Sequence, residues 1–252
     1  MSDGTKNMIH EIIKNRHTTR LMTDSIEDDH VEKILTSARL APSKNKIHGY
    51  KIFALTNSVA GKKIKQRLCD DITKYKDDET GMIYLMQTKA PLVLLYMLDP
   101  SPEHQMLGIS EKTGKEIYTE DEAKITDQRD RYIMIKNSLR DAMISATYAQ
   151  LTAEGLGLGT AFVACELETI IWDRQFEDFF TEAFGENYRS RHIEPGVILC
   201  IGPKDPKILD LYANNVTKYS EPYLDGTTDF VRTGREKSFT LSDKQKSMIE
   251  II

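Results

Sequence analysis

The sequence predicts a mixed fold of helices and strands, in the α+β or α/β class, and three observations support this. Apolar residues recur at helical spacing, most clearly over residues 131–154. Short apolar runs of strand length lie between the helical segments, at residues 50–55, 91–98, 160–165 and 195–201. With 252 residues, 40% of them hydrophobic, the chain is long enough for one domain with a sizeable core.

The first part of the chain alternates helices with strands. Apolar residues at helical spacing predict a first helix over residues 7–15. The second helix is predicted to begin at a capping box formed by Ser25 and Asp28, and to end before Pro42. A strand and a charged surface helix follow, at residues 50–55 and 59–72.

The middle of the chain contains the most apolar run, over residues 91–98, which is typical of a strand buried on both faces and therefore central. Residues 99–130 are polar and are interpreted as a long surface excursion or lid. The long helix over residues 131–154 has small residues on its apolar face, and Leu139 and Met143 are assigned to the same face. A strand, a helix and a strand complete this part, at residues 160–165, 168–184 and 195–201.

The end of the chain is polar, with scattered aromatic residues and little periodicity. We therefore expect a domain over residues 1–202 and a C-terminal extension over residues 203–252. Aromatic side chains favour burial, so the extension is expected to wrap a partner subunit. A mobile extension is the alternative.

Composition excludes several classes of protein. A formal net charge of −5 and a pI near 5.8 argue against nonspecific binding to nucleic acid. The N-terminus lacks the apolar core of a signal peptide, and the longest apolar run is too short to span a bilayer. Three widely spaced cysteines without a Cys-x-x-Cys pair suggest neither a disulfide framework nor a zinc site. We expect a cytoplasmic protein without nucleic-acid or membrane partners.

Hydrolase chemistry has no recognisable motif in the sequence. None of the six histidines is paired at i, i+4 with a nearby acid, so no metal site is expected. No Gly-x-Ser-x-Gly elbow occurs, so acyl transfer by a serine nucleophile is not indicated.

A basic run, Arg-His-Thr-Thr-Arg at residues 16–20, comes just after the first predicted helix. Arginine is always charged and offers a planar fork of donors to a phosphate, while threonine hydroxyls can donate to further oxygens or to a sugar-like chain. Such a run is more often a solvated surface when it stands alone. Its chemistry suits an anion with a polar tail.

Two further motifs follow the basic run in order. Residues 41–45, Ala-Pro-Ser-Lys-Asn, come after the second predicted helix. Residues 155–160, Gly-Leu-Gly-Leu-Gly-Thr, close the long helix and begin a strand. This order is the reverse of a dinucleotide-binding loop, in which glycines lead from a strand into a helix. The glycines indicate a helix C-cap with a tight turn.

The ordered set of three motifs resembles the nitroreductase family of FMN-dependent oxidoreductases, over residues 8–202. That family has an Arg-x-Ser-x-Arg or Arg-His-Ser-Thr-Lys box, then Ala-Pro-Ser-x-x-Asn, then Gly-Leu-Gly-Thr between a helix and a flavin-contacting strand. The resemblance implies an α+β fold, with a central, mostly antiparallel sheet flanked by helices and a long dimerisation helix. It also implies a homodimer with shared active sites.

The resemblance implies roles for the basic run. Arg16 would hold the FMN phosphate, and Thr18 the phosphate or the ribityl chain. Arg20 would lie at the pyrimidine edge near N1 and O2, where a fixed cation stabilises the negative charge of the reduced flavin. His17 would contribute through its backbone and packing.

Other parts of the implied site come from the later motifs. Pro42, Ser43 and Asn45 resemble residues that approach the flavin from the second subunit. Ala164 and Cys165 occupy the place where the family presents backbone N–H groups to flavin N5 and O4. Because a backbone donor needs no particular side chain, the Cys165 thiol is assigned no covalent role.

The sequence departs from the family pattern at two places. Residues 46–48 are Lys-Ile-His, where the family often has Gln-Pro-Trp. The late basic residue that closes on the phosphate is also displaced, and Lys207 and Lys204 are the candidates for it, with Arg232 and Arg235 as rivals.

The activity implied by the resemblance is that of an FMN-dependent NAD(P)H oxidoreductase. NAD(P)H would reduce the flavin and leave, and a flat acceptor such as a nitroaromatic compound or a quinone would take its place, in ping-pong hydride transfer. Flavin N5 carries the chemistry, so no side chain is assigned as catalytic. The alternatives are a reductive dehalogenase, a flavin-cannibalising dimethylbenzimidazole synthase, or a flavin-binding protein without turnover.

Overall fold

A four-stranded sheet forms the centre of the protein in a computed structural model that describes residues 8–13, 16, 18–19, 22–23, 25–43, 49–73, 86–99, 128–163, 173–186, 188, 193–205, 218–219 and 230–231. Its strands are β1 (Tyr50–Leu55), β2 (Leu92–Leu98), β3 (Gly159–Val163) and β4 (Glu194–Gly202). Their order is β1-β2-β4-β3, and every neighbouring pair is antiparallel. Two short strands, β5 (Lys218–Tyr219) and β6 (Phe230–Val231), pair separately. The α+β prediction with an antiparallel sheet is confirmed.

Helices cover both faces of this sheet. The four longer ones are α1 (Asp28–Arg39), α2 (Val59–Thr73), α3 (Gln128–Gly155) and α4 (Glu177–Phe184). Residues 8–13 are also helical, and short 3-10 turns occur at Met86–Lys89 and Arg174–Phe176. Buried side chains of α1 and α3 pack on one face of the sheet, and those of α2 and α4 pack on the other.

Strand β2 lies inside the sheet, between β1 and β4, and all seven of its side chains are buried. Because successive side chains of a strand point to opposite faces, Leu94 and Tyr96 pack towards α1 and α3, while Leu95 and Met97 pack towards α2 and α4. A strand covered on both faces needs no polar side chain, which explains the continuous apolar run. The prediction of a central strand is confirmed.

The long helix α3 packs on the sheet through alanines that are fully buried, Ala142, Ala146, Ala149 and Ala153. Small side chains let the helix axis approach the sheet closely. Leu139 and Met143 were expected on this buried face, but they are 37% and 41% exposed. The alanine stripe forms the centre of the contact with the sheet, so Leu139 and Met143 lie at its flank.

The predicted start of the second helix is wrong. Helix α1 begins at Asp28 with Glu27 as its N-cap, and no side chain caps it, so Ser25 and Asp28 do not form the expected capping box. Acidic residues in the first turn instead match the positive end of the helix dipole. The helix predicted over residues 168–184 is not continuous, because α4 begins at Glu177 after a 3-10 turn; the predicted start at residue 168 lies outside the described residues. Residues 100–127 and 164–172 lie outside the described residues.

A chain of buried hydroxyl groups joins the sheet to α1 and α3. Ser145 Oγ donates to the carbonyl oxygen of Ala38 at 2.9 Å, so it accepts from the Tyr96 hydroxyl at 3.2 Å. Helix ends leave carbonyl groups without helical partners, and this bond satisfies one at the end of α1. Burial raises the pKa of Tyr96 to about 12, although its hydrogen bond to Ser145 opposes the shift.

The raised pKa of Tyr96 predicts a loss of stability in alkali. An unfolded tyrosine releases its proton near pH 10, whereas folded Tyr96 keeps it until about pH 12. The unfolded chain therefore binds fewer protons in this window, and the free energy of unfolding falls as the pH rises from about 10 to about 12. Urea denaturation at each pH should show a shallower fall for Tyr96→Phe than for the wild type. Identical slopes for the two proteins would contradict the assignment.

Candidate functional site

The basic run is attached to the beginning of β3. Thr18 forms a parallel bridge with Thr160, and the N–H of Thr19 donates to the carbonyl oxygen of Thr160 at 2.9 Å. These bonds join the first and third motifs of the sequence through the backbone. Arg16 and Thr18 are both half-buried at this place.

Glycine at position 159 allows the basic run to lie so close to β3. A Cβ atom on Gly159 would come within 2.6 Å of the Thr19 side chain, which is fully buried. Neighbouring residues of an extended chain point to opposite sides, so Thr18 faces away from this contact. The side chain of Thr18 is therefore placed for a role other than packing against β3.

The glycine turn ends α3 as a Schellman motif. The N–H of Leu158 donates to the carbonyl oxygen of Ala153, and the N–H of Gly157 donates to that of Glu154, both at 3.0 Å. Gly157 has φ of 81°, a conformation that glycine adopts without strain. The expected C-cap is confirmed, and it places Glu154 in the last turn of the helix.

A second contact brings Pro203 and Lys204, which follow β4, to the same end of the sheet. Met22 forms an antiparallel bridge with Lys204, and the N–H of Thr23 donates to the carbonyl oxygen of Pro203 at 3.0 Å. Strands β3 and β4 pair with Gly159 opposite Gly202, so the start of one lies beside the exit of the other. The segment that follows the basic run therefore reaches across both strands.

A polar network lies beneath this crossing and was not singled out from the sequence. Thr160 Oγ1 donates to Glu154 Oε1 at 2.6 Å and accepts from Gln150 Nε2 at 3.2 Å. Lys204 Nζ lies 3.5 Å from Glu154 Oε2, and the Glu154 side chain is only 5% exposed. In the sequence, a glutamate near the end of an amphipathic helix looks like any solvent-exposed residue, so no pattern marks Glu154 as part of the site. Its partners come from β3 and from the exit of β4.

The second motif follows the end of α1. Ser145 Oγ of α3 donates to the carbonyl oxygen of Ala38, so α3 holds the end of α1 at this point, while the hydroxyl of Ser37 donates within α1 to the carbonyl oxygen of Ile34 at 2.8 Å. Pro42 is exposed. Ser43 Oγ is buried, yet it has no hydrogen-bond partner in the part of the chain that the structure describes. A buried hydroxyl normally has a partner, so this atom marks a place for one.

Several predicted site residues lie outside the described residues, namely His17, Arg20, Asn45, Ala164, Cys165 and Lys207, together with Arg232 and Arg235. Of the predicted residues that are described, Thr18 lies at the start of β3, beside the exit of β4, and Arg16 precedes it, with its N–H donating to the carbonyl oxygen of Ile12 at 2.9 Å. Pro42 and Ser43 lie at the end of α1.

The described residues fit a phosphorylated ligand with a polar chain. Thr18 supplies a hydroxyl at one end of the sheet, Arg16 is a permanent cation two residues before it, and the Ser43 hydroxyl, which has no partner among the described residues, offers a further hydrogen bond. Within the described ranges, no group of three or more His, Cys, Asp or Glu residues is placed to hold a metal ion. The search of these same ranges for a helix long and apolar enough to cross a membrane finds none.

Comparison with known proteins identifies a family. The model of the family described as "Nitroreductase family" matches residues 13–181. The fold is similar to that of a nitroreductase with bound FMN from Bacteroides fragilis NCTC 9343, with 16% identity, a TM-score of 0.50, and coverage of 93% of this chain and 98% of that one. A nitroreductase with bound FMN from Desulfitobacterium hafniense DCB-2 gives 14% identity, a TM-score of 0.52, and coverage of 79% and 90%.

A third solved structure, an FMN-dependent nitroreductase from Clostridium difficile R20291, shares 22% identity, with a TM-score of 0.47 and coverage of 77% of this chain and 86% of that one. No curated protein matches the chain. At these identities the two structures with bound FMN show a shared fold alone.

The close approach at Gly159 predicts the effect of an added methyl group. Gly159→Ala should push Thr19 away from β3 and break the bond from its N–H to Thr160. Hydrogen–deuterium exchange of a peptide that contains Thr19 should then become faster. Gly155→Ala is the matched control, because its Cβ would meet only the flexible end of Ile12 at 3.4 Å. Unchanged exchange in Gly159→Ala would show that the basic run does not depend on this contact.

Proposed function

The chain belongs to the nitroreductase family, and on this basis we propose that it is an FMN-dependent oxidoreductase that uses NAD(P)H to reduce flat acceptors such as nitroaromatic compounds and quinones. One observation carries the proposal most directly. The basic run is bound to the start of β3 through Thr18 and Thr19, and the segment that follows it is bound to the exit of β4 by the contacts of Met22 with Lys204 and of Thr23 with Pro203. FMN in two solved relatives of the same fold supports the choice of cofactor.

The residues of the basic run would bind the cofactor. Arg16 would pair with the phosphate as a planar, permanent cation, and Thr18 would donate to a phosphate or ribityl oxygen. Lys207 would supply a further cation after β4. When bound, FMN supplies two-electron redox chemistry through its ring. Arg20 would place a fixed positive charge beside the ring and favour its reduced, anionic form.

The remaining site residues would orient the ring. Ala164 and Cys165 would offer backbone N–H groups on the chain that continues from β3. Pro42, Ser43 and Asn45 would reach the ring from the partner subunit, and the buried hydroxyl of Ser43, which has no partner among the described residues, supports this because a buried hydroxyl normally has one. No side chain is needed as a general acid or base. The wide spacing of the cysteines favours a cytoplasmic location.

A homodimer is part of the proposal. Helix α3 exposes the apolar side chains of Leu139, Met143, Ile144 and Tyr148 on one broad face, while its alanines fill the contact with the sheet. Leu40, just after α1, is also strongly exposed. Exposed apolar residues concentrated on one long helix favour burial against another protein surface. We assign a second copy of the chain to this face, with residues 203–252 wrapping around it.

The visible spectrum of the purified protein tests the cofactor and the reaction. We expect the absorption bands of a bound flavin, their loss when NADH or NADPH is added without oxygen, and their return when a quinone follows. Chromatography after turnover should recover FMN unchanged, whereas an enzyme that breaks the flavin down would consume it. Colourless protein that does not bind added FMN would refute the proposal. Bound FMN that neither nucleotide reduces would favour a binding protein without turnover.

Because the exposed face of α3 is assigned to the proposed dimer interface, a charged side chain introduced there should weaken the dimer. Met143→Glu should raise the dimer dissociation constant, because burying an unpaired carboxylate costs several kcal/mol. Light scattering over a range of concentrations measures the change. Val59→Glu places the same charge at an exposed apolar residue of α2 and should leave the dimer intact. A wild-type monomer, or equal dissociation constants for both variants, would contradict the assigned interface.

A further inference from the structure

We propose that Glu154 is a positioning residue for the phosphate end of the site, and that Lys204 serves it as a structural counter-ion and not as a phosphate ligand. The proposal rests on the proposed function, because it concerns the binding of FMN. It separates the roles of Lys204 and Lys207, which the sequence alone leaves as alternative ligands of the phosphate.

The two oxygens of the Glu154 carboxylate have different partners. Oε1 accepts from the hydroxyl of Thr160 at 2.6 Å, and Oε2 lies 3.5 Å from Lys204 Nζ. The side chains of Glu154 and Lys204 are 5% and 20% exposed. A carboxylate with so little access to water needs a compensating cation. Among the residues that the structure describes, Lys204 is the cation that pairs with Glu154. The positive charge of Lys204 is therefore already neutralised by this carboxylate.

The hydrogen bond to Glu154 has a defined direction. Gln150 Nε2 can only donate, so Thr160 Oγ1 accepts from it at 3.2 Å. The single hydroxyl proton of Thr160 is then directed to Glu154. Two helical residues thus hold one threonine of β3 in place.

The same network fixes the backbone on which the basic run depends. Thr160 provides the bridge to Thr18 and the carbonyl group that binds Thr19. Lys204 provides the bridge to Met22. Both attachments of residues 18–22 are therefore made to residues that Glu154 holds through their side chains. Loss of one partner of the pair would leave the other charge buried and unpaired, and would loosen the attachments while every residue of the basic run stays unchanged.

The charge balance explains why Lys204 must stay with Glu154. The end of a helix carries partial negative charge from its carbonyl groups, and Glu154 lies in the last turn of α3. Without a cation, this region would repel a bound phosphate. The pair is neutral when both members are present. The attraction for the phosphate must then come from Arg16 and from a later basic residue such as Lys207.

A double-mutant cycle on the full chain tests the assignment. The proteins are the wild type, Lys204→Met, Glu154→Gln, and the variant with both changes. The FMN dissociation constant is measured by fluorescence quenching on flavin-free protein, and the urea midpoint of that protein is measured separately. Lys204→Met should raise the dissociation constant about tenfold, the size expected of one unpaired charge at moderate distance from an anion. It should also lower the midpoint.

The second change should rescue the first. With Glu154→Gln added to Lys204→Met, no unpaired charge remains, so the dissociation constant should return to within about threefold of the wild type, since buried pairs can often be replaced by neutral groups. Equal weakening in Lys204→Met and in the double variant would identify Lys204 as a direct phosphate ligand. A changed midpoint with an unchanged dissociation constant would show a purely structural pair. Either result overturns the proposal.

A surface pair provides the control for the cycle. Arg39 and Glu32 lie 3.4 Å apart and are both exposed on α1. Arg39→Met, Glu32→Gln and their combination should leave the FMN dissociation constant unchanged, since exposed pairs contribute little. Wild-type protein that does not bind FMN would refute the proposed function itself. Wild-type binding without rescue would refute only the role of Glu154.

Discussion

The hydrogen bond between Thr19 and the carbonyl oxygen of Thr160 is the interaction on which the arrangement of the site depends. It fixes an N-terminal segment, remote in sequence, against the first residues of β3. Gly159 makes the contact possible because it has no side chain. Glu154 holds Thr160 from the opposite side through its hydroxyl. A basic run that would otherwise be a solvated surface becomes part of a defined edge of the sheet.

The rest of the fold supports this edge. A strand buried on both faces and an alanine-faced helix give a rigid centre with little free volume. Because α3 packs closely on the sheet, Glu154 in its last turn and the glycine turn that follows lie at the start of β3. The bond from Ser145 holds the end of α1, and with it the turn that contains Ser43, on the middle of the same helix. One helix therefore positions two of the three motifs.

Sequence patterns were sufficient where local chemistry decides the structure. The apolar run of β2 and the helical period of α3 predict both elements because burial alone determines them. The pattern could not separate the buried stripe of the helix from its exposed flank, so Leu139 and Met143 were expected in the core although they are exposed. The order of the motifs was sufficient to group the basic run with the glycine turn. The role of Glu154 depends on Lys204, which is distant in sequence, and no local pattern contains that contact.

A crystal structure of the protein with FMN tests the central claim most directly. The account predicts the phosphate within hydrogen-bond distance of Arg16 and Thr18, beside the start of β3, with Lys204 still paired to Glu154. A flavin bound elsewhere, with Arg16 pointing into solvent, would contradict it.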